Sequence, residues 1–408
     1  MREGEYDAER AERTGLSRRR LLSWAAVASG GAAAAQVAGV FGPSPGWAHP
    51  ATPTASLAPT PSPVPGIVKP LPATLLTPRG TNAEMRWESM RGQGYLTPAD
   101  RFFVRNHTTT PAIDVATWRL RIHGTGVRRE VSLSYDDLLR LPRVTATRAV
   151  ECAGNARNLF GSQQGTPAAG TTWGLGAIGV ATWTGVRLSD VLDRAGVTRA
   201  ALDVMPVGLD SMAVRRPIPV EKALAADTLL VIGMNGRTLP PDHGYPVRLL
   251  VPGWVGVSHV KWVGEIEVST TPLLSQWNTT SYRLFGPDYP DTPLVTTQVV
   301  KSALELPFPA TLGRGVQLLT GRSWSGLGRI ARVDVSVDDG PWRPAHLSWR
   351  NDEKAWRQWS FLWHAKPGEH RIRVRARDDR GNVQPDAVPF NEQGYLFGAV
   401  AQHPVTVL

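Results

Sequence analysis

The run Arg148-Ala149-Val150-Glu151-Cys152-Ala153-Gly154-Asn155-Ala156-Arg157 holds the only cysteine in 408 residues. A chain with one cysteine forms no internal disulfide, so this thiol is either a core filler or a reactive or metal-binding group. Val144 to Cys152 is β-branched and apolar and reads as a buried strand that runs straight into the loop-forming pair Gly154-Asn155. A thiol at the end of a strand, beside a loop and five residues before Arg157, stands where ligands meet backbone. Position alone leaves the two readings evenly balanced, because free cysteine is among the most buried residue types.

Outward from this strand, residues 71–294 mix helix and strand patterns. Trp118 to His123 alternates with period two and predicts a half-buried strand. Ser134 with Asp137 three residues on predicts a capping box and a short helix ended before Pro142. Further helices are predicted over Leu188–Arg194, stopped by Gly196, and over Glu221–Ala226, after Pro219. Residues 295–408 change character. Val333, Val335 and Val337 alternate with polar residues before the turn Asp338-Asp339-Gly340, and Ile372, Val374 and Ala376 alternate with Arg371, Arg373, Arg375 and Arg377. One core face and one solvated face per strand predict a β-sandwich of about 100 residues. Five of the 15 tryptophans fall between Trp342 and Trp363, a cluster expected to serve that core and an interface.

The N-terminus reads as an address. Residues 1–48 carry the run Ser17-Arg18-Arg19-Arg20-Leu21-Leu22 before a weakly apolar Ala/Gly segment, the pattern of a twin-arginine export signal. Export to the periplasm or another extracytoplasmic space follows, with a membrane tether if the segment stays uncleaved. That route carries proteins already folded, often around a cofactor. Residues 49–70 are rich in Pro, Thr and Ser and predict an extended linker. The formal charge is +10, of which the first 48 residues, with six arginines and five acids, supply +1 and the remainder +9. That excess is spread thinly, which favours small anions; no nucleic-acid motif accompanies it.

Three clusters join cationic or polar residues to turn residues: Phe102-Phe103-Val104-Arg105-Asn106-His107, Asp242-His243-Gly244-Tyr245-Pro246-Val247-Arg248, and Gly253 to Trp262 with Ser258, His259 and Lys261. Arg105, Arg157, Arg248 and Lys261 each suit an anion. His107, His243 and His259 are each open between structural hydrogen bonding and function. A Cys152 nucleophile activated by His243 or His107 is a rival chemistry with no local signature. A non-enzymatic surface module is another. There is no phosphate-binding glycine loop, dinucleotide fingerprint or haem-attachment cysteine pair.

These residues, with Trp173-Gly174-Leu175-Gly176-Ala177-Ile178-Gly179, Trp183-Thr184-Gly185-Val186-Arg187, Met234-Asn235-Gly236, Trp324-Ser325-Gly326 and Asn382-Val383-Gln384-Pro385-Asp386, resemble the sulfite oxidase family of molybdenum-cofactor oxidoreductases from Phe102 to the C-terminus. The resemblance implies an α+β molybdopterin-binding domain followed by an immunoglobulin-like β-sandwich that mediates homodimerisation. It implies Cys152 as the molybdenum ligand, with Asn106, His107, His243, Arg248, Ser258 and Lys261 at the pterin and its phosphate. Arg105 and Arg157 then face the substrate. The implied reaction is oxygen-atom transfer on a small sulfur compound or oxyanion, in a sulfite-oxidase-like sense, with S-oxide reduction as the alternative. Neither haem nor flavin is implied, so electrons pass through a separate protein. Two departures stand out: Val214 aligns with the family's pocket tyrosine and Gln393 with a pocket arginine. They predict a pocket short of one phenol and one guanidinium.

Overall fold

The computed structural model describes residues 66–408; the expected export segment and the linker up to Pro65 lie outside the described residues. The last residues of the expected linker are folded rather than extended. Ile67 is buried, and the backbone N–H groups of Val68 and Lys69 donate to the Asp242 carboxylate at 3.0 and 2.8 Å.

Two five-stranded sheets form the first part of the fold. One runs in the order Arg237–Thr238, Leu229–Met234, Ile178–Arg187, Arg143–Glu151, with Arg248–Leu250 also paired to Leu229–Met234. The other runs Val131–Ser134, Arg119–His123, Val263–Ser269, Asp203–Gly208, Ile218–Pro219, and its pair between Val263–Ser269 and Arg119–His123 is parallel. Leu120, Ile122 and Ile266 of one sheet and Val186, Leu230 and Leu249 of the other share a core with Val191 and Leu192. Each such side chain contributes about 1.5–3 kcal/mol by leaving water.

Local sequence signals account for the helices. Ser134 accepts from the Asp137 N–H while the Asp137 carboxylate accepts from the Ser134 N–H, and helix Tyr135–Leu139 follows. Leu188–Ala195 stops at Gly196, whose φ of 71° only glycine adopts freely. The third helix is shorter than expected, Val220–Ala223, because the chain turns back and the Thr228 hydroxyl donates to the Lys222 carbonyl.

The cysteine strand, Arg143–Glu151, is less buried than its composition predicts. It is the outer strand of its sheet, so residues 143–148 are exposed or half-buried and only Ala149, Val150 and Glu151 are buried. The buried end is the one that delivers Cys152.

From Lys301 onward two sheets stack as the predicted sandwich. Lys301–Leu304, Gly315–Trp324, Trp356–Ala365 and His346–Asn351 form one, and Ala310–Leu312, Gln402–Val407, Gly368–Asp378, Ile330–Val337 and Arg343–Pro344 the other. Val333, Val335, Ile372, Val374 and Ala376 fill the space between them with Trp359, Phe361 and Trp363. Asp338 and Asp339 both take positive φ, 52° and 58°, which fits a tight hairpin turn. Of the tryptophan cluster, Trp356, Trp359 and Trp363 are buried, Trp342 lies against the Arg373 and Arg375 guanidinium groups, and Trp349 is 91% exposed.

Candidate active site

Cys152 opens onto a cleft, partly open to solvent, that Arg105, His107, His243, Arg248 and Lys261 also line. Residues from four chain segments thus meet at the buried end of one strand. Cys152 N–H donates to the Ala177 carbonyl at 2.9 Å, and the Asn155 N–H closes the turn onto the Cys152 carbonyl at 2.9 Å.

The Arg105–His107 segment is anchored by two backbone bonds between Val104 and Ala83, each 2.9 Å, and by Phe102, edge-on to Trp183 and to His243. Arg105 has no ion-pair partner among the described residues, and its guanidinium donates to the Asn106 carbonyl. Asn106, beneath the cleft wall, receives the Lys261 ammonium on its side-chain oxygen. Lys261 also donates to the Asp242 carbonyl at 2.9 Å. Asp242 itself is satisfied by Val68, Lys69 and the Thr110 hydroxyl.

His243 is 1% exposed, and burial, with Lys69, Arg248 and Lys261 nearby, pushes its pKa far below the usual imidazole value. A neutral ring results, and its Nε2 has no hydrogen-bond partner among the described residues. Arg248 Nε and Ser258 Oγ are likewise buried and unpartnered. His259, also at the cleft, is resolved as structural: its Nδ1 accepts from Val251 N–H at 3.2 Å and its Nε2 donates to the Trp254 carbonyl at 3.0 Å. Arg157 is not part of the cleft lining. It donates to the carbonyls of Gln393 and Thr171 and lies 5.3 Å from the centre of the Tyr395 ring.

A phenol lies at the wall after all. Tyr282 lines the cleft, with its hydroxyl 3.3 Å from His107 Nε2, alongside Val214. The expectation of a pocket without a tyrosine therefore fails, because the ring arrives from the segment after strand Val263–Ser269 rather than from around Val214. Burial raises the Tyr282 pKa, against the opposing pull of Arg105, Arg157 and Arg216. Gln393 supplies no charge. Its amide accepts from Tyr282 N–H at 3.3 Å and donates to the Thr280 carbonyl at 2.9 Å, so it clamps the turn that carries the phenol. Arg216 is fully buried, bonded to the carbonyls of Trp277 and Val295, and lies 5.9 Å from the Tyr282 ring centre.

Residues 107–277 match the family described as "Oxidoreductase molybdopterin binding domain", and residues 312–400 match "Mo-co oxidoreductase dimerisation domain". The sulfite oxidase of Gallus gallus is 37% identical over 353 residues, which cover 78% of this chain and 74% of that protein. The chain belongs to the sulfite oxidase family. The mitochondrial sulfite oxidase of Rattus norvegicus is 38% identical over 75% of this chain, and the chain spans 61% of its length. The crystal structure of the sulfane dehydrogenase SoxCD from Paracoccus pantotrophus aligns with a TM-score of 0.72 and 29% identity, over 83% of this chain and 89% of that one. Membership carries the α+β plus sandwich architecture expected from the sequence.

The side chains present fit the family's cofactor. Among the described residues no group of three or more His, Cys, Asp or Glu side chains could hold a metal ion. A metal at Cys152 would therefore take most of its ligands from outside the protein. The unpartnered Arg248 Nε, with the Arg105 and Lys261 side chains, suits an anionic group, and the bare His243 Nε2 offers it an acceptor.

Proposed function

We propose that this chain is an exported molybdopterin oxidoreductase that transfers an oxygen atom on a small sulfur compound, in the sense of sulfite oxidation. The observation that carries the reading is the meeting of the chain's only thiol with the unpartnered buried polar atoms of His243 and Arg248 in one cationic cleft. Cys152 ligates molybdenum, because a soft thiolate suits that metal and loses its proton on coordination. Asn106, His107, His243, Arg248, Ser258 and Lys261 hold the pterin and its phosphate. When bound, the molybdenum centre supplies the two-electron change and the site of oxygen exchange.

The chain's own groups do the rest. Arg105 holds a substrate oxyanion, and Arg157, one ring behind, adds positive field through Tyr395 and Tyr282. The Tyr282 hydroxyl orients the substrate and is itself set by His107 Nε2 at 3.3 Å, a ring that burial, with Arg105 and Lys261 nearby, holds neutral. Reduction of an S-oxide is the second reading, favoured by the neutral Gln393, which leaves the pocket less cationic and more tolerant of a neutral substrate.

Electrons pass to or from a separate protein, and two chains pair through the C-terminal sandwich. Export follows the paired arginines near Arg19, and Lys-Lys variants there should accumulate inside the cell. One experiment tests the core of this reading: metal analysis of protein folded in a cofactor-competent cytoplasm, followed by assays with sulfite and an acceptor dye against S-oxides and a reduced dye. About one molybdenum per chain, absent from Cys152→Ser, is required. A metal-free wild type sinks the proposal, and S-oxide turnover without sulfite turnover selects the second reading.

A further inference from the structure

Lys301 opens the first strand of the sandwich, yet its side chain leaves the sandwich altogether. Its Nζ lies 2.9 Å from Glu151 Oε1 and 2.9 Å from the Asn155 carbonyl, and the Lys301 and Glu151 side chains are both 2% exposed. Asn155 Nδ2 donates to the same Glu151 oxygen at 2.9 Å, while Asn155 Oδ1 accepts from Ala177 N–H at 2.9 Å. The turn from Glu151 to Asn155, with Cys152 at its second position, is thus closed by a cation from the far part of the chain. Two other bonds tie the same loop to C-terminal residues: Leu396 N–H to the Ala153 carbonyl at 2.9 Å, and Arg157 Nε to the Gln393 carbonyl at 3.0 Å.

A buried ion pair is a poor way to gain stability, since well-packed apolar residues do as well. What it does supply is a fixed position, because removing either partner leaves a buried charge unpaired. A metal-ligating side chain needs that: its donor atom must be held to within about 0.5 Å by the groups behind it. We propose that Lys301 is a positioning residue for Cys152, so that the sulfur is held toward the cleft only when the sandwich is docked. This rests on the reading of Cys152 as the metal ligand.

A control pair exists. Glu305–Arg322 is another buried pair, 2.8 Å long with 5% and 0% exposure, and it also reaches out of the sandwich, to the carbonyls of Gly94 and Tyr95. It makes no bond to the 151–157 turn.

The test uses the full-length chain prepared without metal, alkylated by iodoacetamide and read by intact mass. With one cysteine, a single added group reports Cys152 alone. Lys301→Met, Glu151→Gln and Arg322→Met are compared at denaturant concentrations that leave equal native fractions. Lys301→Met is expected to speed alkylation on the order of tenfold over wild type through local opening, and Arg322→Met to leave it unchanged. Lys301→Arg, which keeps the pair, should return the rate to within about threefold of wild type. Equal rates in Lys301→Met and Arg322→Met, or no acceleration in Lys301→Met, overturn the proposal. Should Lys301→Met not fold, Glu151→Gln carries the comparison, and a rate no faster than that of Arg322→Met overturns it. Absence of molybdenum from the cofactor-loaded wild type would defeat the functional reading separately, since this measurement needs no metal.

Discussion

Tyr282 and Tyr395 lie face to face, with ring centres 5.0 Å apart and planes 7° from parallel. Only Tyr282 lines the cleft; Tyr395 backs it, and the Arg157 guanidinium lies beyond Tyr395. The stack couples the substrate wall to the C-terminal part of the chain. It also separates two roles that one residue would otherwise confound, because the ring of Tyr282 packs and its hydroxyl faces His107.

Tyr282→Phe keeps the stack and removes the hydroxyl. Stability should change by less than about 1 kcal/mol, since the lost hydrogen bond at 3.3 Å is weak and faces the cleft. Turnover should fall at least about tenfold, the scale of one lost orienting group. Thermal melting alongside steady-state rates checks both halves, and an unchanged kcat would remove Tyr282 from the chemistry.

The unpartnered Arg248 Nε, with Arg105 and Lys261 on the same cleft, should bind a small anion even without cofactor. At a phosphate concentration ten times its Kd, linkage gives about 1.4 kcal/mol, enough to raise the Tm of metal-free protein by a few degrees. Inorganic phosphate should therefore raise Tm relative to chloride at equal ionic strength, and Arg248→Met should abolish the difference. An equal rise in that variant would place the anion elsewhere.

Gly176 tests how tightly the two-stranded ribbon Leu76–Arg79 and Asn82–Met85 is laid against the segment that follows the cysteine loop. Its N–H donates to Glu84 Oε1 at 3.0 Å, and a Cβ there would stand 1.9 Å from the Met85 carbonyl oxygen. Gly176→Ala must push two backbones apart and should cost about 1–3 kcal/mol, measurable by denaturant titration. A neutral result would mean that the ribbon moves freely.

Local patterns were legible in the sequence because they depend on near neighbours. The Ser134 capping box, the Gly196 stop and the alternation at Val333 and Ile372 each fold as read. Cys152 was legible as a strand-end thiol beside a loop. Tyr282 was not, because its place is set by Gln393, 111 residues away, and by the stack on Tyr395, neither of which leaves a mark near position 282. The short capping box at Ser275 and Asn278 is a local sign that the chain turns there, but it does not say where the phenol goes. Matching by order of motifs put the pocket tyrosine at Val214; Val214 does line the cleft, but the phenol beside it comes from a different segment. Lys301 was invisible for a like reason: its partner Glu151 belongs to the other part of the fold.

Acid should destabilise the protein from about pH 6.5 downward, and His259 and His403 carry the argument. Both are buried, and burial lowers their pKa from 6.5 to about 3 and about 4. Each is held neutral in the fold, with Nε2 of His259 bonded to the Trp254 carbonyl and Nε2 of His403 to the Pro307 carbonyl. Above pH 6.5 neither folded nor unfolded chain protonates them, and their contribution is complete. Below pH 6.5 the unfolded chain takes up protons that the folded chain refuses, so stability falls with pH until the folded-state values are reached. The loss per histidine is on the order of 1 kcal/mol for each pH unit in this window. His403→Gln keeps a donor for the Pro307 carbonyl and removes the titration. The pH-dependence of its unfolding free energy between pH 6.5 and 4 should be shallower than that of wild type, and parallel curves would show that His403 does not carry it.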